Sequence, residues 1–204
     1  MKTVGLIVAL IVLLGYCNVQ NMNMGTKYLN DGDSYLQKHS WQHAVQEYDK
    51  AVAVLRQPLA DAYNNRGYAY EHLNRYEDAA ADFRRAVAVV PDSAMYNANL
   101  SHAYNNLKKP GAAIEAATCA IRLDGKWKNG YENRGDAYMM NEEYGFAIMD
   151  YTQAIALAPD EERLYECRAL CYEKTGDTEA AEEDRRRVKA IRWDKEAEKQ
   201  NHKS

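Results

Sequence analysis

The sequence predicts an all-α chain, a right-handed α-solenoid of five helix–turn–helix repeats, and three observations carry that prediction. Alanines recur at Ala44, Ala79, Ala113, Ala147 and Ala181, one interval of 35 residues and three of 34. Nine residues before each stands a tyrosine (Tyr35, Tyr70, Tyr104, Tyr138, Tyr172), and three residues before each tyrosine a small side chain (Gly32, Gly67, Ser101, Gly135, Ala169). Eleven glycines and four prolines in 204 residues are too few for the many turns of a β-sandwich or barrel. A fixed period of this length marks stacked units, each too small to bury its apolar face alone.

At the N-terminus, Lys2 precedes an uncharged apolar run over residues 4–14. That run has the length of a secretory apolar core and falls short of the roughly 20 residues a spanning helix needs. Residues 1–17 therefore read as a signal peptide or lipoprotein leader. Cleavage, lipidation of Cys17 and retention as an anchor all stay open. Leu14-Gly15-Tyr16-Cys17 resembles a bacterial lipobox, with Tyr16 standing where a small residue is usual. The expected location is outside the cytoplasm, membrane-tethered or periplasmic or secreted, with membrane contact through the N-terminus only. Residues 18–24 turn polar and read as a short linker.

Residues 25–193 then divide into repeats at about 25–59, 60–93, 94–127, 128–161 and 162–193. Each reads as two amphipathic helices of about 14 residues joined by a short turn. The small residue lets the two backbones cross closely while aromatic and aliphatic side chains fill the space around the crossing. Pro58, Pro91 and Pro159 close repeats. Ala117 and Arg185 depart from the aromatic of the second helix, and Val188 from the late alanine. Most of the 16 tyrosines fall on recurring positions and are expected to fill the core. The last repeat has a strongly polar second helix, as suits a terminal unit, and residues 194–204 form a charged tail.

This small–Tyr–Ala–aromatic–Ala–Pro pattern, five times in register, resembles the tetratricopeptide-repeat proteins. The resemblance implies a non-enzymatic scaffold that binds an extended peptide or a protein partner on the face lined by the first helix of each repeat. On that face, two residues before each small position, stand Asn30, Asn65, Asn99 and Asn133, with Cys167 in the fifth repeat. A side-chain amide carries a donor and an acceptor side by side and can pair with an extended backbone. The row is similar to the asparagine ladder of the repeat superhelix in O-linked N-acetylglucosamine transferases. The other reading is that these amides cap or bridge neighbouring helices. Tyr68, His102 and Asp136 join the asparagines as candidate peptide-binding residues on a face that leans acidic. Family members that hold chaperone tails use lysines and arginines, where this chain has Leu29, Asn64 and Ala98. With its leader, the layout resembles small bacterial tetratricopeptide lipoproteins that help assemble envelope complexes.

Charge and motifs narrow the alternatives. Twenty-six Lys and Arg against 30 Asp and Glu give a net charge of −4, the wrong sign for general nucleic-acid binding. No phosphate loop, His-Glu-x-x-His or Gly-x-Ser-x-Gly motif occurs, so no catalytic residue, metal site or cofactor is expected. A metal-binding or enzymatic envelope protein using His39, His43 or the cysteines is the cross-class alternative. Cys119, Cys167 and Cys171 are an odd number beyond the leader and read as free thiols. Self-association through the end repeats is a further expectation.

Overall fold

The computed structural model describes residues 2–55 and 60–201, and side chains over 19–55 and 60–199. Pro58 and the side chain of Cys17 lie outside the described residues. Among the described residues there are ten α-helices and no strand. One compact unit, residues 1–91, holds α1 (Lys2–Gln37), α2 (Trp41–Val54), α3 (Ala60–His72) and α4 (Tyr76–Val89). The other, residues 92–204, holds α5 (Ala94–Asn106), α6 (Pro110–Leu123), α7 (Lys128–Met140), α8 (Tyr144–Leu157), α9 (Glu162–Thr175) and α10 (Thr178–Asn201). Helices consecutive within a unit pack on each other. The fold is all-α, five helix–turn–helix repeats.

One turn geometry recurs between the two helices of every repeat. The backbone turns left-handed at His39, Asn74, Lys108, Glu142 and Gly176, each four residues after the recurring tyrosine. The next N–H returns to that tyrosine's carbonyl, Ser40 to Tyr35, Arg75 to Tyr70, Lys109 to Tyr104, Glu143 to Tyr138 and Asp177 to Tyr172, at 2.9–3.0 Å. This six-to-one closure satisfies a carbonyl that the helix end would leave open. Ser93 accepts from the Tyr96 N–H at the start of α5, and Pro110 opens α6, where its missing donor costs nothing.

Small residues and rings pair across each crossing. A Cβ added at Gly32 would lie 2.8 Å from the Tyr48 ring, at Gly67 2.8 Å from Phe83, and at Gly135 3.0 Å from Tyr151. The third repeat keeps a side chain at this point, Ser101, and its partner position is Ala117; the Ser101 hydroxyl donates to the Ala113 carbonyl at 2.8 Å. The fifth has Ala169, and Arg185 turns outward. The departures at Ala117 and Arg185 therefore accompany loss of the glycine, so volume across the crossing is kept in balance.

The recurring tyrosines take a different place from the one expected. Tyr48 and Tyr151 are wholly buried, whereas Tyr35, Tyr70, Tyr104, Tyr138 and Tyr172 are half-buried. Tyr63 and Tyr70 flank Arg66 at 5.8 and 6.0 Å, and Tyr165 and Tyr172 flank Arg168 at 5.7 and 5.8 Å. Positions three before and four after an arginine share its helix face, so the rings sheathe a guanidinium. Each arginine reaches the second helix of its own repeat through a two-pronged carboxylate pair. Arg66 donates to Asp82 at 2.6 and 2.9 Å, Arg134 to Asp150 at 2.8 and 2.8 Å, and Arg168 to Asp184 at 2.9 and 2.7 Å. A third prong reaches the preceding second helix, at Asp49, Thr118 and Thr152 respectively. Burial opposes the charge on Arg66, but the Asp82 carboxylate outweighs it and holds the guanidinium above its ordinary range.

The N-terminal region also differs from expectation. Residues 18–24, read as a linker, are helical inside α1, which runs without a break from the leader to Gln37. No proline interrupts this stretch, and isolated glycines cost a helix only about 1 kcal/mol each. Among the described residues no helix is long and apolar enough to cross a membrane. At the other end α10 carries the charged tail as helix to Asn201.

Candidate functional site

In the first unit the candidate residues converge on the first-helix side. Asn30 is exposed and Asn65 half-buried, and both border a cleft of about 210 Å³ whose floor is Asp33 and the buried Tyr48. The Tyr48 hydroxyl donates to Asp33 Oδ1 at 2.5 Å and Asn65 Nδ2 donates to the same oxygen at 3.1 Å. Burial, and then the Asp33 carboxylate, hold the Tyr48 phenol well above its usual range, so it stays a donor. Asp61 of α3 stands at the rim. Asn65 therefore ties α3 to α1 through its Nδ2, while its Oδ1 accepts from Asn64 Nδ2 at 3.2 Å.

A turn further along α3, Tyr68 is 44% exposed and belongs to an aromatic group. His72 stacks on Trp41 at 3.9 Å with the rings nearly parallel, and Tyr68 meets both edge-on, at 4.6 Å from His72 and 6.0 Å from Trp41. His39 meets Trp41 edge-on at 5.2 Å. The histidine pair considered for a metal is thus divided: His39 faces Trp41, while His43 stacks on Tyr35 at 5.2 Å and its Nδ1 lies 2.9 Å from the Ser40 hydroxyl. Among the described residues no group of three His, Cys, Asp or Glu is placed to hold a metal ion.

In the second unit the candidates separate. Asn133 is only 6% exposed, and its Nδ2 donates to the Ala98 carbonyl of α5 at 2.8 Å. Asn105 in turn donates to the Asn133 carbonyl at 2.8 Å. At this repeat the asparagine bridges neighbouring first helices. Asn99 is half-buried and His102 exposed. Asp136 accepts the hydroxyl of buried Tyr151 at 2.6 Å on one oxygen and Arg163 of α9 at 2.7 Å on the other. Arg163 also donates to Glu132. Burial works against the Arg163 charge, and Asp136 with Glu132 overrides it, raising the guanidinium above its ordinary range. Cys167 and Cys171 lie beneath this cluster, and burial pushes the Cys171 thiol up to about 11. Met139 packs against the same core.

Trp41 and Arg163 lie outside the set that the sequence points to for binding. Trp41 sits at the start of a second helix, outside the first-helix register, and only contact with Tyr68 and His72 brings it to the site. Arg163 was legible as a register outlier: Asp61 holds the same place in the second repeat.

A helical repeat protein with polar side chains on its first helices and packed rings beneath them is the class these features define. Residues 60–93, carrying α3 and α4, match the tetratricopeptide repeat model. It is 29% identical over 119 residues to Hsc70-interacting protein 1 of Drosophila melanogaster, covering 58% of this chain and 29% of that one. It is 31% identical over 136 residues to a FAM10 family protein of Arabidopsis thaliana, covering 66% of this chain and 30% of that one. The chain thus spans less than a third of the length of these curated relatives. Among solved structures, the crystal structure of MamA protein superposes with a TM-score of 0.75 at 24% identity, over 85% of this chain and 94% of the other. MamA 41-end from Desulfovibrio magneticus RS-1 gives 0.77 at 17% identity, over 84% and 96%. At these identities the likeness establishes the fold alone.

Proposed function

We propose that the chain is a protein-interaction scaffold that holds an extended segment of a partner along its first-helix face. The observation that carries this reading is the cleft bordered by Asn30 and Asn65, with Tyr68 exposed a turn away. Donors, acceptors and an aromatic ring lie together there on adjacent first helices, which is what an extended backbone and one anchoring side chain require. The Hsc70-interacting relative supports a protein partner in general. The acidic lining at Asp33 and Asp61 favours a neutral or basic segment over the acidic tails that a lysine-lined clamp would take.

Affinity capture from native extract tests the reading. Full-length chain should retain a partner stoichiometrically, and Asn30→Ala with Tyr68→Ala should weaken capture about tenfold or more. Equal capture by wild type and variant would remove this face from the function.

The leader supports a companion proposal, that the chain works outside the cytoplasm, tethered through Cys17, in the assembly of an envelope complex. Labelled fatty acid should enter the wild type and be absent from Cys17→Ser; label in both, or in neither, contradicts the tether. Self-association is a second reading, favoured by Leu170 and Trp193, large apolar side chains exposed on α9 and α10 of the last repeat. Sedimentation over a concentration series tests it, with Trp193→Glu expected to hold the chain monomeric.

A further inference from the structure

The two units contain related small sites, one filled and one open, which differ in that Leu29 lines the open copy where the filled one has Glu132. In register, Asn30, Asp33 and Tyr48 of the first repeat correspond to Asn133, Asp136 and Tyr151 of the fourth. Asp61 and Asn65 of the second repeat correspond to Arg163 and Cys167 of the fifth. Both copies have a buried tyrosine donating to the aspartate, at 2.5 Å in one and 2.6 Å in the other.

In the fourth repeat the second aspartate oxygen takes the guanidinium of Arg163 at 2.7 Å, and Glu132 takes its other nitrogen. The chain itself fills that site. In the first repeat the arginine is replaced by Asp61, and the matching space is the open cleft of about 210 Å³. Asp33 uses only Oδ1, for Tyr48 and Asn65, and makes no ion pair among the described residues.

We infer that the cleft between Asp33 and Asp61 receives the guanidinium of an arginine in the bound segment, in the manner that Arg163 occupies its own copy. The inference deepens the scaffold reading and rests on it for the source of the arginine. Tyr48 and Asn65 fix Asp33 Oδ1, so the carboxylate is already oriented when the guest arrives and little ordering remains to oppose binding. Asp33 Oδ2 supplies the acceptor for a guanidinium nitrogen, as Asp136 Oδ2 does for Arg163, and Asp61 adds negative charge to the lining of the cleft. Asn30, exposed at the cleft edge, is placed for the backbone beside that arginine.

The test uses Nα-acetyl-arginine N-methylamide, titrated into full-length chain and followed by amide chemical shifts. The citrulline analogue, equal in shape and uncharged, is the control. Saturable shifts confined to residues 29–33 and 61–65 are expected with the arginine probe, with affinity about tenfold or more weaker for citrulline. Asp33→Asn keeps an acceptor for the Tyr48 hydroxyl and should weaken the arginine probe by a similar factor. Asp61→Arg, at an exposed position, should supply the internal plug and abolish binding. Arg163→Ala should open the other copy and add a second set of shifts around residues 132–136.

Absence of saturable shifts, equal affinity for citrulline, or full affinity in Asp33→Asn would overturn the inference. Absence of the second set in Arg163→Ala would overturn the equivalence beneath it. The probe reads the cleft directly. Its failure removes the arginine site and leaves partner capture standing, whereas loss of capture with intact probe binding would sink the scaffold reading alone.

Discussion

Asp82 shows how much one side chain does in this repeat. It is almost wholly buried, accepts both prongs of Arg66, and receives Arg85 at 2.6 Å besides. Asp82→Ala would leave Arg66 buried without its main partner and should cost about 3–5 kcal/mol in urea unfolding. The third repeat has Leu100 and Ala116 at the matching places. Arg66→Leu with Asp82→Ala should therefore recover most of the loss, and a double variant as unstable as the single would contradict this account. Gly135→Ala presses a methyl onto the Tyr151 ring and should cost about 1–3 kcal/mol by thermal melting. Proton binding sets a further expectation at Cys171. Its thiol lies at about 11 in the folded chain against 9.0 unperturbed, so folding favours the protonated form. That contribution is complete below pH 9 and is lost as pH rises from about 9 to 11. Tyr48 and Tyr151, raised by burial and by Asp33 and Asp136, act in the same sense above pH 10. Thermal stability should thus fall in that window, and Cys171→Ala should soften the decline. These networks were hard to read beforehand, because the Arg–Asp interval of 16 residues spans a turn and matches no single-helix period.

Helices and turns were the most legible level. The 34-residue interval placed every crossing, since only small residues permit close backbone approach. What it could not supply was the handed turn between paired helices, which four non-glycine residues adopt at positive φ. Asn74 and Gly176 suit that geometry; Lys108 and Glu142 bear strain that glycine would relieve. Lys108→Gly should raise stability by up to about 1 kcal/mol in chemical unfolding, and a loss would show that the lysine side chain contributes more than the turn strain removes. The extent of α1 also escaped prediction. Polar residues at 18–24 suggested a linker, but composition alone does not stop a helix when no proline intervenes.

For the molecule as a whole, periodicity made the architecture plain, while the candidate site was only partly visible. A row of asparagines looked equivalent in sequence, yet Asn133 is buried as a bridge and Asn30 is exposed. Equal register does not mean equal exposure, because what each amide meets depends on the neighbouring helix. The outlier Arg163 separates a filled site from an open one more clearly than the asparagines do. The central claim, that a partner lies along the first-helix face, is tested most directly by a photo-cross-linking residue at Tyr68 of α3, compared with one at the exposed Arg84 of α4 in the same unit. Irradiation in native extract should give one discrete adduct from position 68 and none from 84. Adducts from both positions alike, or from 84 alone, would contradict the account.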